Sequence, residues 1–182
     1  MNEIEKSNSF KRLQEYRIDF AYSKGQFYEA VNRLNREKEN YIKLKKIIDT
    51  LILIFTLLTF IAIVGSDILP NQNIIVGISA LIAFGLSIYQ FIDKNSFENI
   101  KEYQNTADNY LDLYKKAKNI EVKVKDNLIT LKELDKFIDE LHNRQIEVIK
   151  NSPKTIYEDY KNAKNAIEKN QSGYSENDFK NT

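Results

Sequence analysis

The chain has 182 residues, a net charge of +1 and no cysteine. So even a balance gives no overall electrostatic pull toward nucleic acid, and without cysteine there are neither disulfides nor thiolate metal sites. The mean hydropathy of −0.49 would suit a water-soluble protein, but the apolar residues are concentrated in one stretch.

Residues 1–46 carry eleven Lys and Arg against seven Asp and Glu, a net charge of +4. Leu13, Phe20, Phe27, Leu34 and Tyr41 recur every seven residues. Tyr16, Ser23, Ala30, Glu37 and Leu44 follow each of them by three. This is an apolar stripe at heptad spacing, weakened by Ser23, Gly25 and Glu37. It predicts one long cytoplasmic amphipathic helix running into the next segment. The stripe is a candidate assembly surface, covered either by other helices of the same chain or by a neighbouring copy.

Residues 47–92 set the class. Thr50–Ser66 are 17 consecutive uncharged residues and Ile68–Ile92 are 25. Within them 47–65 and 74–92 read as two transmembrane helices, since about 20 helical residues cover a hydrocarbon core about 30 Å thick. The connector 66–73 holds Asp67, Pro70, Asn71 and Asn73 and reads as a tight outer turn. A buried hairpin of a soluble bundle fits less well, because core helices rarely run so long without charge. A signal peptide fits worse, since the apolar run starts near residue 47 behind a charged segment. Lys43, Lys45 and Lys46 precede the first span, Lys94 and Lys101 follow the second, and the connector has no Lys or Arg. The positive-inside rule therefore predicts both termini in the cytoplasm.

Residues 93–169 read as further cytoplasmic helices. Phe97, Ile100, Tyr103, Ala107, Tyr110, Tyr114 and Ala117 keep one face apolar, and Ile120, Val124, Leu128, Leu131, Leu134, Ile138 and Leu141 continue it. Spacing alone leaves open whether 97–150 is one helix or a folded-back pair. Asn151-Ser152-Pro153 stops the helix, and a short one follows over about 156–169 with Tyr157, Tyr160, Ala163 and Ile167 on one side. Residues 170–182 are polar and read as a disordered tail. The expected fold class is an all-α membrane protein: a two-helix transmembrane hairpin with a cytoplasmic helical bundle or coiled coil.

No catalytic pattern stands out. His142 is the only histidine, so with no cysteine it lacks evident metal co-ligands. There is no Gly-rich phosphate loop and no nucleophile elbow. Asp139 and Glu140 are adjacent on a helix and diverge. The expectation is no enzyme, no metal and no cofactor.

The spans are more informative. At 100° per residue Asp49, Thr56, Thr59 and Ser66 fall toward one side of the first. Ser79, Ala83 and Ser87 form a small-residue ridge on the second, with Gln90 on the same face. Such residues either pack membrane helices closely or line a water-filled path. Asp49 either sits at the interface beside Lys45 and Lys46 or marks a pore mouth.

The segment from Tyr22-Ser23-Lys24-Gly25-Gln26-Phe27-Tyr28-Glu29-Ala30 through Asn32-Arg33-Leu34-Asn35-Arg36 resembles the SLATT family. These are two-transmembrane effector domains found beside nucleotide-synthesising and nucleotide-sensing proteins in bacterial conflict systems. Tyr103 to Leu113, and Ser152-Pro153 through Tyr160 and Ala163, are similar to later parts of that family, so the resemblance covers roughly residues 10 to 168. It implies an oligomeric pore-forming effector of the bacterial inner membrane. A separate sensor or nucleotide-synthesising partner would supply the trigger. A non-conducting membrane scaffold that recruits a soluble partner through its coiled segments is the alternative. A holin-like protein is a third, disfavoured by the long helical region after the second span.

Overall fold

The computed structural model describes residues 3–4, 7–64, 72–91 and 99–169. Among them are five helices and no strand: α1 (Asn8–Val64), α2 (Gln72–Phe91), α3 (Ile100–Lys125), α4 (Leu131–Lys150) and α5 (Tyr157–Glu168). The protein is all-α. It divides into two compact units, one of residues 1–34 and 99–182, the other of residues 35–98. The single 57-residue helix α1 contributes to both. The expected disordered tail, 170–182, lies outside the described residues, as do Phe97 and residues 66–71 of the expected turn, whose last two residues, Gln72 and Asn73, belong to α2.

The first unit is a helical bundle built on the first part of the stripe. Leu13, Phe20 and Phe27 of α1 are buried, as are Ala107, Tyr110, Leu113, Tyr114, Ala117, Ile120 and Val124 of α3. Leu134, Ile138, Leu141 and Val148 of α4 join the same core. Phe27 stacks on Tyr110 with ring centroids 5.7 Å apart, and Phe20 meets the same tyrosine at 6.4 Å. Antiparallel to α1, α3 also pairs Glu121 with Arg17 at 3.1 Å, both side chains buried. α4 runs parallel to α1, with Ser9 donating to Asp135 and the Tyr16 hydroxyl 2.9 Å from His142 Nδ1.

The region after the second apolar stretch is a folded-back pair. α3 ends with Asn127 in the left-handed region, at φ 55°. Leu128 N donates to Lys123 O at 2.8 Å, and Asn127 N to Val124 O at 3.1 Å. That is a Schellman stop with asparagine in glycine's place. Thr130 then caps α4, accepting from Glu133 N, while the Glu133 carboxylate accepts from Thr130 N at 2.7 Å. Leu128 and Leu131, expected on the apolar face, are exposed: the first belongs to the turn and the second opens α4.

α5 lies against α1. Asp159, 1% exposed, accepts from Arg33 Nε at 2.9 Å and from Arg33 Nη2 at 3.1 Å. Its buried side is Asp159, Ala163 and Ile167, whereas Tyr157 and Tyr160 are exposed. The expected face is thus turned toward Asp159 by its ion pair. Where α5 meets Gly25, a Cβ on that residue would come within 3.2 Å of Ala163 Cβ, so the absence of a side chain permits the close approach.

Candidate functional site

The second unit holds α2 and α1 from Asn35 onward. Along α1, Ile48 is buried and Ile52, Phe55 and Thr59 are half-buried, spaced by four, three and four residues. Along α2, Ser79 is buried and Val76, Ala83 and Leu86 are half-buried. These two helix faces form a seam, and its polar centre is a contact of 2.7 Å between Thr59 Oγ1 and Ser79 Oγ. Thr59 Oγ1 also lies 2.8 Å from Phe55 O. Ser79 Oγ lies 3.3 Å from Val76 O, so each hydroxyl has a backbone carbonyl within reach and one of the two protons is shared across the 2.7 Å contact.

From Thr50 onward the described surface outside the seam is largely apolar. Among the described residues, sixteen large apolar side chains between Ile47 and Ile88 are exposed, Leu53, Phe60, Val64, Leu81 and Phe84 among them. Polar groups are sparse there, and their protons are used locally. Thr56 Oγ1 donates to Ile52 O, and Ser87 Oγ donates to Ala83 O at 2.8 Å. Each hydroxyl keeps lone pairs that face outward.

Among the described residues, no helix is long and apolar enough to cross a membrane. Both uncharged runs, 50–66 and 68–92, extend past those residues.

A family model described as SMODS and SLOG-associating 2TM effector domain family 4 matches residues 13–178. The chain belongs to this SLATT family. No curated protein and no solved structure matches it.

In this SLATT chain the polar residues singled out in the two spans separate into two groups. Thr59, Ser79 and Ala83 lie at the seam, while Asp49, Thr56 and Ser87 are exposed. Asp49 and Thr56, seven residues apart, share a face to within about 20°, whereas Thr59 is turned about 60° from Thr56. Ser66 and the Gln90 side chain lie outside the described residues. Of the assembly stripe, Leu13, Phe20 and Phe27 are buried within the first unit, and Leu34 and Tyr41 are half-buried.

The first unit of the SLATT chain holds polar features that the sequence reading did not single out. A groove of about 500 Å³ is lined by Ile18, Asp19, Tyr22, Gln26, Gln145 and Tyr160. Burial, reinforced by the neighbouring Glu15 charge, raises the Asp19 carboxyl above its ordinary value. Tyr28 is pushed up to about 12, first by burial and then by its 2.7 Å bond to Asp108. Among the described residues no group of three His, Cys, Asp or Glu side chains could hold a metal ion. Arg17 with Glu121 and Arg33 with Asp159 tie helices together within the unit.

Proposed function

We propose that this SLATT chain is a non-enzymatic effector of the bacterial inner membrane. It inserts as a two-helix hairpin with both termini in the cytoplasm, assembles with copies of itself, and permeabilises the membrane when triggered. The supporting observation is the exposed apolar surface of the second unit. In water, each half-exposed Leu, Ile or Phe forgoes on the order of 1 kcal/mol of burial. Sixteen of them then forgo roughly as much as the about 5–15 kcal/mol that holds a whole domain together. Against lipid tails the same surface costs nothing.

One hairpin has no interior, so conduction requires several copies. The exposed hydroxyls of Thr56 and Ser87, with Asp49, supply the polar groups for a path between them. The family's name associates it with SMODS and SLOG proteins, and a separate partner of that kind would deliver the trigger. A non-conducting scaffold is favoured by a different observation. The Thr59 and Ser79 hydroxyls are spent on each other, which leaves fewer groups to line a path.

Two measurements test this. The chain has no native cysteine, so Asn71→Cys and Asn143→Cys each give a single reporter. An impermeant thiol reagent added to intact spheroplasts should label the first and spare the second. Labelling of Asn143→Cys overturns the topology. Activated protein should also depolarise cells, read with a potential-sensitive dye, and give channels in planar bilayers. Silence in both, with inserted protein, favours the scaffold.

A further inference from the structure

Between Asn35 and Ile47, α1 is exposed on all sides apart from the half-buried Tyr41. Lys43, Lys45 and Lys46 project from it among Ile42, Leu44 and Ile47, which are 42%, 43% and 58% exposed. Lys43 and Lys46 lie about 60° apart around the axis and Lys45 about 100° beyond Lys46, so the three share one broad face of about 160°, with Leu44 and Ile47 on the rest of the circumference. Lys46 lies four residues before Thr50 and Lys43 seven, which is about 6 to 10 Å along the helix. The polar layer on each side of a hydrocarbon core is about 5–8 Å thick. If the core begins near Thr50, the three ammonium groups therefore reach phosphate level, and the interleaved Ile and Leu side chains reach the upper acyl chains. Arg36 and Lys38 start about 18–21 Å from Thr50, beyond the reach of that layer and of the about 8 Å over which salt leaves charge effective.

We propose that residues 42–47 form a binding patch for acidic phospholipid headgroups, and that this patch selects anionic lipid at the cytoplasmic end of the first span. The proposal rests on the membrane reading above and adds the lipid class. One feature favours a bilayer over a free polyanion. Ile42, Leu44 and Ile47 are exposed beside the lysines, and acyl chains can take up that apolar surface where a nucleic acid cannot. Each lysine at an anionic surface contributes about fivefold in local lipid enrichment.

The chain has no tryptophan, so one introduced tryptophan is a clean reporter. The full chain carrying Ile47→Trp, or Ile74→Trp at the opposite end of the hairpin, is reconstituted in phosphatidylcholine vesicles. Brominated phosphatidylcholine or brominated phosphatidylglycerol is then added. At position 47 phosphatidylglycerol should be preferred at least about fivefold at low salt. Replacing Lys43, Lys45 and Lys46 together with Gln should bring that preference down to the level seen at position 74, while Arg replacements should keep it. Equal lipid preference at the two positions, or a preference that survives the Gln replacements, overturns the patch while leaving insertion intact. Absence of quenching by any brominated lipid at both positions overturns the membrane reading and the patch with it. Binding of a soluble oligonucleotide as tight as that of the anionic vesicle overturns the lipid assignment.

Discussion

At the scale of single residues, two kinds of polar contact hold this chain together, and they differ in what they resist. The pair of Arg33 and Asp159 is nearly dry: the carboxylate is 1% exposed and the guanidinium 20%. Asp159 also accepts from Ile156 N at 3.1 Å at the start of α5. Asn in its place keeps that capping acceptor and its shape, yet leaves the arginine without a counter-charge. Asp159→Asn should therefore cost about 3 kcal/mol, the range for removing one partner of a buried pair. Amide exchange should accelerate in α5 well before α3 or α4. If α5 exchanges as slowly as before, its attachment rests on Ala163 and Ile167 instead. The Thr59 and Ser79 hydroxyls form the second kind of contact. If the second unit lies in lipid as proposed, a hydrogen bond across its seam contributes only about 0.6 kcal/mol and sets the register of the two helices more than the strength of their packing. Neither contact was legible beforehand. Arg33 and Asp159 are 126 residues apart, and helical spacing says which residues share a face, not which faces meet. Spacing did place Thr59 near Thr56, but the 60° between them decides that one packs and the other is exposed.

At the scale of elements, the periodic stretches of sequence were legible, because a buried stripe repeats. Leu13, Phe20 and Phe27, then Ala107, Tyr110, Tyr114 and Ala117, then Leu134, Ile138 and Leu141, are all buried. The fold-back at 126–130 was harder, because Leu128 and Leu131 continue the apolar spacing across it while pointing outward. The usable signal was chemical: Asp126-Asn127 suits a left-handed stop, and Thr130-x-x-Glu133 is a capping box. The box also makes a pH prediction. Bonds from the Thr130 backbone and then its side chain hold the Glu133 carboxyl below its ordinary value. The fold thus favours the ionised form. That contribution is complete above the unfolded value of about 4.3 and is lost as pH falls through the lower folded value. Thr130→Ala should speed amide exchange in the first turn of α4 at neutral pH. The gap from the unaltered chain should narrow below about pH 4, as Glu133 becomes protonated in both. A gap that stays constant with pH would mean the Thr130 hydroxyl contributes nothing through the Glu133 carboxylate.

At the scale of the whole molecule, the two units divide the labour that the proposed function requires. The bundle satisfies its own stripe, so Leu13, Phe20 and Phe27 are not free to join copies together. The assembly proposed above then falls to the second unit and to the later stripe positions Leu34 and Tyr41. This sharpens the test of conduction. Thr56 is exposed, on the face it shares with Asp49, whereas Thr59 is bonded across the seam. A membrane held at about 100 mV does roughly 2.3 kcal/mol of work on each charge that crosses it, so even a few open paths collapse the gradient without any catalytic residue. Thr56→Leu removes lone pairs from the proposed path, and apolar walls favour dewetting of a narrow pore. It should abolish depolarisation while leaving insertion and assembly as they were. Thr59→Leu should act differently, by disturbing the hairpin and lowering the amount of assembled protein. Ile54→Ala with Leu58→Ala alters side chains that are 46% and 44% exposed and lie away from Thr56, so depolarisation should persist. The three variants are compared by single-channel recording, crosslinked oligomer yield and dye response in cells. If Thr56→Leu conducts like the unaltered chain, the face carrying Asp49 and Thr56 does not line a path. If Ile54→Ala with Leu58→Ala silences the protein while Thr56→Leu does not, the conducting face is the opposite one, and Asp49 belongs to the interface beside Lys45 and Lys46.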